Sequence, residues 1–226
     1  MNQALYEISI WAIPAVLAIT LHEAAHGYVA WRLGDDTAKM LGRVSFNPLR
    51  HVDPVGTVLI PALLLLSGTR LLFGWAKPVP VNFMRLRNPR RDMVWVAAAG
   101  PAINLAIAVA SALLVHLSLL LPGKVGEWAT DNLVNSVVVN LVLAVFNMIP
   151  LPPLDGGRVA VGLLPRRLAR PLAGLERFGL FIIIGVLFLL PWIGAQVGVD
   201  LNIFPWLVGV PVEFLFKVLM TLTGHG

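Results

Sequence analysis

Long apolar segments with almost no charged residues constrain this chain more than any other feature. Charged residues make up only 13% of the sequence and apolar residues 58%, whereas about a quarter of the residues in a soluble globular protein are charged. Segments of this length span a bilayer as helices. We therefore predict an all-α polytopic membrane protein, with residues 1–226 forming a single domain embedded in lipid. The apolar segments are 8–33, 55–73, 93–121, 132–149, 178–199 and 201–223.

The basic residues are concentrated in two of the loops between these segments. Residues 74–92 contain five lysines and arginines, and residues 150–177 contain five arginines. Basic loops of membrane proteins remain on the cytoplasmic side, so we expect both loops to face the cytoplasm. The net charge of +5 follows from such loops, and we expect no nucleic-acid partner.

This sidedness predicts the direction of most segments. Segment 93–121 then runs outward, 132–149 returns inward and 178–199 runs outward again. Segment 55–73 either re-enters from the cytoplasmic face, turning near Pro61 and Gly68, or crosses fully. Segment 201–223 either crosses or lies along the membrane interface, and the pair Glu213 and Lys217, four residues apart, favours an ion pair within it.

The first apolar segment contains the pattern H-E-x-x-H, formed by His22, Glu23 and His26. Helix positions four apart project from one face, so both imidazoles can bind one zinc ion while Glu23 reaches a water molecule on it. A glutamate inside hydrocarbon is costly unless it has a partner or a function. The chain has no cysteine, so every metal ligand must be a nitrogen or oxygen atom. The pattern predicts one Zn²⁺ site within the membrane.

A catalytic zinc ion takes three protein ligands and one water molecule, so a third ligand must come from elsewhere in the chain. Asp155 follows a proline-rich run that breaks the inward-running helix, and the two glycines after it permit backbone angles closed to other residues. An ordinary proline-rich helix stop with a solvated aspartate explains this run equally well. The other candidates by residue type are His51, Asp53 and His116.

Three motifs occur together in the order found in one known family. They are His-Glu-Ala-Ala-His at 22–26, Gly-Pro-Ala-Ile-Asn at 100–104 and the run 147–157 with its Leu-Asp-Gly centre. In these motifs the chain resembles the site-2 proteases, which are intramembrane zinc metalloproteases. The resemblance implies that Asp155 is the third zinc ligand, that Glu23 is the catalytic base and that the site faces the cytoplasm.

The resemblance also implies an architecture. It implies a three-helix catalytic core at about 8–157. The apolar segments and the proline-containing run further predict about two C-terminal helices at about 178–223 and a re-entrant or extra hydrophobic segment on the cytoplasmic side with short β strands. The connection at 122–131 is too short for the PDZ domain of many relatives, and we expect no nucleotide-sensing cystathionine-synthase-type (CBS) pair after the last helix. These features resemble a compact prokaryotic branch, which implies a multi-pass protein of the prokaryotic plasma (inner) membrane.

Two side-chain amides are candidates for stabilising the oxyanion that forms during amide hydrolysis. Asn147 precedes the proline-rich break, and Asn104 follows the Gly-Pro pair; the family resemblance implies that both lie near the site. For Asn104, a hydrogen bond across closely packed helices is an alternative role.

The segment 74–82 contains two prolines that favour extended backbone in the residues before them. Its free edge, formed by Lys77, Val79 and Val81, is predicted to pair with an unwound substrate strand or with a neighbouring strand near Val44. A rigid cytoplasmic linker is the alternative.

Together these features predict a zinc-dependent intramembrane endopeptidase that cuts transmembrane substrates near their cytoplasmic ends. A metal-binding transporter, a catalytically inactive adaptor and a peptidase that trims soluble peptides are the alternatives. Glu23 distinguishes the first two, because a transporter needs ligands but no base beside the metal, and an adaptor needs neither.

Overall fold

The computed structural model describes residues 3–60, 63 and 76–225. Among these residues the regular secondary structure is helical, which confirms the prediction of an all-α protein. The predicted segment 55–73 lies mostly outside the described residues, so its re-entrant or crossing path is not part of this description. Five helices in the described ranges are long and apolar enough to cross a membrane: Leu5–Arg32, Pro89–Ser118, Gly123–Asn147, Glu176–Val197 and Pro205–Leu222.

The α-helices of the described residues are numbered here in chain order: α1 Gln3–Arg32, α2 Thr37–Met40, α3 Pro89–Ser118, α4 Gly123–Asn147, α5 Asp155–Leu163, α6 Arg166–Gly174, α7 Glu176–Ile184, α8 Leu190–Val197 and α9 Val210–Leu222. Short 3₁₀-helices cover Pro48–Arg50 and Phe83–Arg85, and π-helices cover Pro54–Leu59, Gly185–Leu189 and Pro205–Gly209. The second π-helix joins α7 to α8 and the third leads into α9, so each forms part of one longer helical span.

Helices α1, α3 and α4 form the central bundle, and small residues let them approach closely. Ala108 and Ala112 of α3 are fully buried against Val137 and Leu141 of α4. The last helix, α9, covers this cluster with apolar side chains that include Phe216. Because lipid is as apolar as leucine, helices in a membrane associate through close packing and polar contacts.

Polar side chains link the same helices at intervals. The Trp128 indole N–H of α4 donates to Ser9 Oγ of α1 at 2.9 Å, and the Asn135 amide of α4 donates to the Ile10 carbonyl at 3.0 Å. Ser111 of α3 and Ser136 of α4 share a hydrogen bond of 2.8 Å. These bonds fix the rotation of α1 and α3 about their axes, which decides the direction in which the side chains of the first motif point.

The residues that follow α1 are tied to the segment that precedes α3. Helix α1 ends before Gly34, whose φ of 116° is open to glycine but strained for other residues. The fully buried Asp35 accepts backbone N–H bonds from Thr37 at 3.1 Å and Asn82 at 2.6 Å. The Arg87 N–H donates to the Leu33 carbonyl at 3.0 Å. The segment before α3 is therefore held against the end of α1.

The segment 76–82 has no regular secondary structure. The prediction of short β strands here is wrong for the described residues. The physical reason lies in the donors: Pro78 and Pro80 have no N–H, the Lys77 N–H donates to the His51 carbonyl at 2.9 Å, and the Val79 N–H donates to the Glu23 carboxylate at 2.7 Å. The edge that was expected to pair with a strand is thus already bonded within the protein at Lys77 and Val79.

The turn between α4 and α5 is packed tightly against the start of α5. A Cβ atom on Gly156 would overlap the Met148 carbonyl, and one on Gly157 would overlap the backbone of Pro152. Both glycines are helical, so they serve close packing and not the unusual backbone angles that the sequence suggested. The packing turns α5 back toward α1 and brings its first residue, Asp155, to the bundle.

The C-terminal part agrees with the two predicted segments at 178–199 and 201–223. The observed helices Glu176–Val197 and Pro205–Leu222 correspond to these segments, with bounds that differ by a few residues. The expected ion pair is confirmed, since Lys217 Nζ lies 2.6 Å from Glu213 Oε1.

Candidate metal centre

His22 and His26 lie one turn apart on the face of α1 that points into the bundle. Their side chains are buried, and their Nε2 atoms are 3.1 Å apart. The spacing of four residues places both imidazoles on this face, as the sequence predicted. Both rings are hydrogen-bonded to α3, through Asn104 and the Val96 carbonyl, so the pair lies within the protein.

Asp155 completes a group of three donors. Its Oδ2 atom lies 3.1 Å from His22 Nε2 and 3.3 Å from His26 Nε2. Among the described residues, His22, His26 and Asp155 form the group of histidine and acidic side chains whose ligand atoms lie close enough together to hold a metal ion. Four tetrahedral ligands at about 2.0–2.1 Å from zinc lie about 3.3–3.5 Å from one another. The triangle of 3.1, 3.1 and 3.3 Å is therefore slightly smaller than one face of a zinc tetrahedron and close to it in shape.

The second nitrogen of each imidazole has an oxygen acceptor. His22 Nδ1 lies 2.5 Å from Asn104 Oδ1, and His26 Nδ1 lies 2.7 Å from the Val96 carbonyl. An N–H at each Nδ1 leaves the Nε2 lone pairs free to face the common centre, which is the tautomer that a metal ligand requires. Asp155 Oδ2 is buried with no hydrogen-bond donor among the described residues. The donor set and its orphaned oxygen therefore fit zinc.

The charge state of Asp155 agrees with a ligand role. Burial raises the pKa of this carboxyl, but in the absence of a metal ion the His22 and His26 rings, when protonated at Nε2, outweigh that effect and hold the pKa well below its ordinary value. A carboxylate must be ionised to bind a metal ion, and the low pKa keeps Asp155 ionised near neutral pH.

Gly100 of α3 lies directly against the two imidazoles. A Cβ atom at this position would lie 2.5 Å from Nε2 of both His22 and His26. The glycine of the second sequence motif therefore forms one wall of the metal centre, and any side chain there would force the two rings to move.

Asn104 contacts the Nδ1 side of the His22 ring, away from Asp155. It is fully buried, its Oδ1 accepts from His22, and its Nδ2 donates to Asn140 Oδ1 at 2.7 Å and more weakly to the Ala18 carbonyl at 3.4 Å. The Asn140 amide in turn donates to the Ser136 carbonyl at 2.8 Å. Both ends of the Asn104 amide are occupied, so the geometry favours orientation of His22 over the oxyanion role predicted from the motif.

Glu23 lies next to the three donors and is itself held. Its Oε2 accepts the Val79 backbone N–H at 2.7 Å, and Val79 is buried. One carboxylate oxygen is therefore fixed by the segment 76–82, while Glu23 remains half-buried and contributes to the wall of a cavity.

This cavity opens beside the donors and has a volume of about 250 Å³. It is mainly apolar, with Phe146, Leu180 and Ile183 among its walls, and His22, Glu23 and Asn147 supply polar groups. One N–H of the Asn147 amide donates to the Leu143 carbonyl at 3.0 Å. An amide has two N–H donors, so a second one is available for a group in the cavity.

The other candidate ligands lie apart from this centre. His51 Nε2 bonds to the Ser45 carbonyl at 3.0 Å, and Asp53 Oδ1 accepts the Val55 and Gly56 N–H groups at the start of a π-helix. His116 Nε2 bonds to the Thr223 carbonyl at 2.6 Å near the opposite end of α3. None of the three belongs to the metal-competent group found among the described residues.

Sequence reasoning missed three contributors to the site. Asn140 is a fully buried polar residue in an apolar segment, and its position there was a usable signal. The Val96 carbonyl and the buried Arg43 gave none, because a backbone acceptor has no residue signature and Arg43 lies in a loop of balanced charge. Only the folded chain places them around His26 and the segment 76–82.

Comparison with known proteins agrees with this geometry. The model of a family described as peptidase family M50 matches residues 11–192, which include all three sequence motifs. The chain belongs to peptidase family M50. The resemblance to the site-2 proteases is thereby confirmed, and the M50 assignment makes this chain a zinc metalloprotease with several membrane-spanning helices.

Two relatives bear the names of zinc metalloproteases. YwhC of Bacillus subtilis is 41% identical over 183 residues, which cover 79% of this M50 chain and 80% of YwhC. Rip2 of Mycobacterium tuberculosis is 31% identical over 176 residues, which cover 78% of this chain and 65% of Rip2. The chain thus spans just under two thirds of the length of Rip2. No solved structure matches it significantly.

Proposed function

We propose that this chain is an intramembrane endopeptidase that hydrolyses transmembrane substrates near their cytoplasmic ends. The observation that carries the proposal is the position of Glu23, a held carboxylate beside three converging zinc ligands in the wall of one cavity. A transporter or an adaptor needs no carboxylate beside its metal ligands, and membership of a peptidase family favours neither of them.

His22, His26 and Asp155 are proposed to hold a single Zn²⁺ ion, leaving the fourth position open. When bound, zinc acts as a Lewis acid and lowers the pKa of a coordinated water. Glu23 accepts a proton from the attacking water and passes it to the leaving amide nitrogen. Its Oε2 stays bonded to the Val79 N–H, so its other oxygen is the one that exchanges the proton.

Asn147 is proposed to stabilise the developing oxyanion. Amide hydrolysis is accelerated by hydrogen-bond donors placed where negative charge develops on the scissile carbonyl oxygen. The second amide N–H of Asn147 is proposed to be such a donor. Its place in the cavity wall with Glu23 supports this role. Asn104 is proposed to hold the His22 ring in its ligand orientation, as acceptors behind metal-binding histidines do.

The cytoplasmic orientation is proposed from charge. The loop before α3 and the helices α5 and α6 carry arginines, and Arg90, Arg166 and Arg170 line one cavity at the end of the bundle where α3 begins. Under the positive-inside rule that end faces the cytoplasm. Since the loop before α3 also contacts the end of α1, the metal centre opens toward the same side. The bacterial relatives support a prokaryotic plasma membrane.

The test compares membrane-peptide products in cells that produce the wild-type protein or the Glu23→Gln variant. We expect mass spectrometry to find cleaved transmembrane peptides only with the wild type, while the purified variant keeps one zinc per chain. Glu127→Gln is the matched control, because Glu127 is exposed and lies near the opposite end of the bundle. Unchanged products from the Glu23 variant would remove the base assignment, and soluble products alone would remove the intramembrane substrate.

A further inference from the structure

Arg43 is a buried arginine without an acidic partner among the described residues. Its exposed fraction is 8%, and its guanidinium donates to the Lys77 carbonyl at 2.5 Å and to the Pro78 carbonyl at 3.4 Å. Its Nε has no hydrogen-bond partner in the described part of the chain. Buried charges are normally paired or coordinated because their desolvation is costly. Because this buried cation bonds to two backbone carbonyls, we expect the position of the Lys77–Pro78 backbone to be important for function.

The second of these carbonyls belongs to the same peptide group as the Val79 N–H. In a trans peptide the C=O and N–H groups point in opposite directions. The Pro78–Val79 peptide therefore has the Arg43 cation on its carbonyl side and the Glu23 carboxylate on its N–H side. The Arg43 cation lies at the negative, carbonyl end of the peptide dipole, and the Glu23 carboxylate lies at the positive, N–H end. Each hydrogen bond therefore polarises the peptide and strengthens the other.

The surroundings leave this peptide little freedom. The Lys77 N–H is bonded to the His51 carbonyl at 2.9 Å, and prolines flank Val79 on both sides. The Val79 side chain is seated against Gly27, one helical turn beyond Glu23, where a Cβ atom on the glycine would lie 3.1 Å from Val79 Cγ1. Arg43 thus clamps a short rigid segment against the face of α1 that carries Glu23.

We infer that Arg43 is a positioning residue that orients Glu23 through the Pro78–Val79 peptide. This inference rests on the proposed role of Glu23 as the base. The guanidinium holds the two carbonyls, the Val79 N–H consequently points at Oε2 of Glu23, and the remaining carboxylate oxygen is directed to the reacting water. Among the described residues, none of the hydrogen bonds of this relay involves His22, His26 or Asp155, so we expect zinc binding to be independent of it.

The experiment is a double-mutant cycle on kcat with purified protein. The substrate is a synthetic peptide that spans a bond cut by the wild type in the product search. Arg43→Gln removes the clamp, and Val79→Pro removes the N–H while keeping Arg43. A hydrogen bond to a charged group contributes enough to lower kcat about 10- to 100-fold when it is lost, with little change in KM or in zinc per chain.

The double variant separates positioning from general support of the fold. If Arg43 acts through the Val79 N–H, the double variant should have nearly the kcat of the worse single variant. If Arg43 only stabilises the loop, the two losses multiply and the midpoint of thermal unfolding falls further with each change. Arg50→Gln is the matched control, since Arg50 is an exposed arginine nearby that donates to the Gly42 carbonyl at 3.0 Å.

Wild-type kcat in Arg43→Gln, or multiplied losses in the double variant, would overturn the inference. Should Arg43→Gln fail to fold, Val79→Pro compared with Val79→Ala decides, because the alanine keeps the N–H and should lose less activity; equal kcat in these two variants overturns the relay. Glu23→Gln separates this inference from the proposed function: an active Glu23 variant removes both, whereas an inactive one with a normal Arg43 variant removes only the relay.

Discussion

The Nδ1 atom of His22 lies 2.5 Å from Oδ1 of Asn104, a residue 82 positions later on the neighbouring helix. This bond orients the ring so that Nε2 faces His26 and Asp155. It links the first two sequence motifs physically: one supplies the proposed zinc ligand, and the other supplies the acceptor that fixes the tautomer of that ring.

Replacing Asn104 with alanine should weaken zinc binding about 10- to 100-fold, because the His22 ring loses the acceptor behind it. Zinc content after dialysis against a graded series of chelator concentrations measures the effect. Asn132→Ala is the control, since the Asn132 amide bonds only to the Trp128 carbonyl of its own helix among the described residues. Equal zinc retention by the two variants would contradict the positioning role.

Replacing Asn140 with leucine should destabilise the bundle and affect zinc less than the Asn104 change does. The substitution leaves the buried Asn104 Nδ2 with only the 3.4 Å contact to Ala18, and an unsatisfied buried donor costs about 1–3 kcal/mol. Thermal unfolding in detergent, with Asn132→Leu as the matched variant, measures the loss. The expectation is refuted if the Asn140 variant unfolds at the wild-type temperature.

Gly100→Ala should abolish zinc binding while the protein remains folded. The added Cβ atom would lie 2.5 Å from the Nε2 atoms of His22 and His26, so both rings would have to move from the positions in which they face a common centre. Metal analysis and circular dichroism of the purified variant provide the two readouts. Gly174→Ala is the control, because nothing lies within 4 Å of a Cβ atom there. A full zinc complement in Gly100→Ala would contradict the close approach of Gly100 to the two imidazoles.

Asn147→Ala should lower kcat about 100-fold with zinc content unchanged, since one donor to an oxyanion typically contributes that much. Steady-state kinetics on the peptide used for the Arg43 cycle would measure kcat and KM separately. A loss confined to KM would instead assign Asn147 to substrate binding in the ground state.

The sequence determined the class of the protein and indicated its candidate reacting groups. Lipid admits only helices with internally satisfied backbones, so the long apolar segments predicted membrane-spanning helices, and the spacing of His22 and His26 placed both rings on one helix face. These features are local, and local periodicity is what a sequence records directly. The motif order added the family, which its match over residues 11–192 confirms.

Tertiary structure decided which distant groups meet. On spacing alone Asp155 was no better than even as a ligand; the close packing of Gly156 and Gly157 against the preceding turn brings it to the two rings. The Val79 N–H was expected to pair with another strand, yet it meets Glu23 because Arg43 and His51 hold the backbone around it. Such contacts depend on packing between segments far apart in the chain, and no periodicity within either segment encodes them.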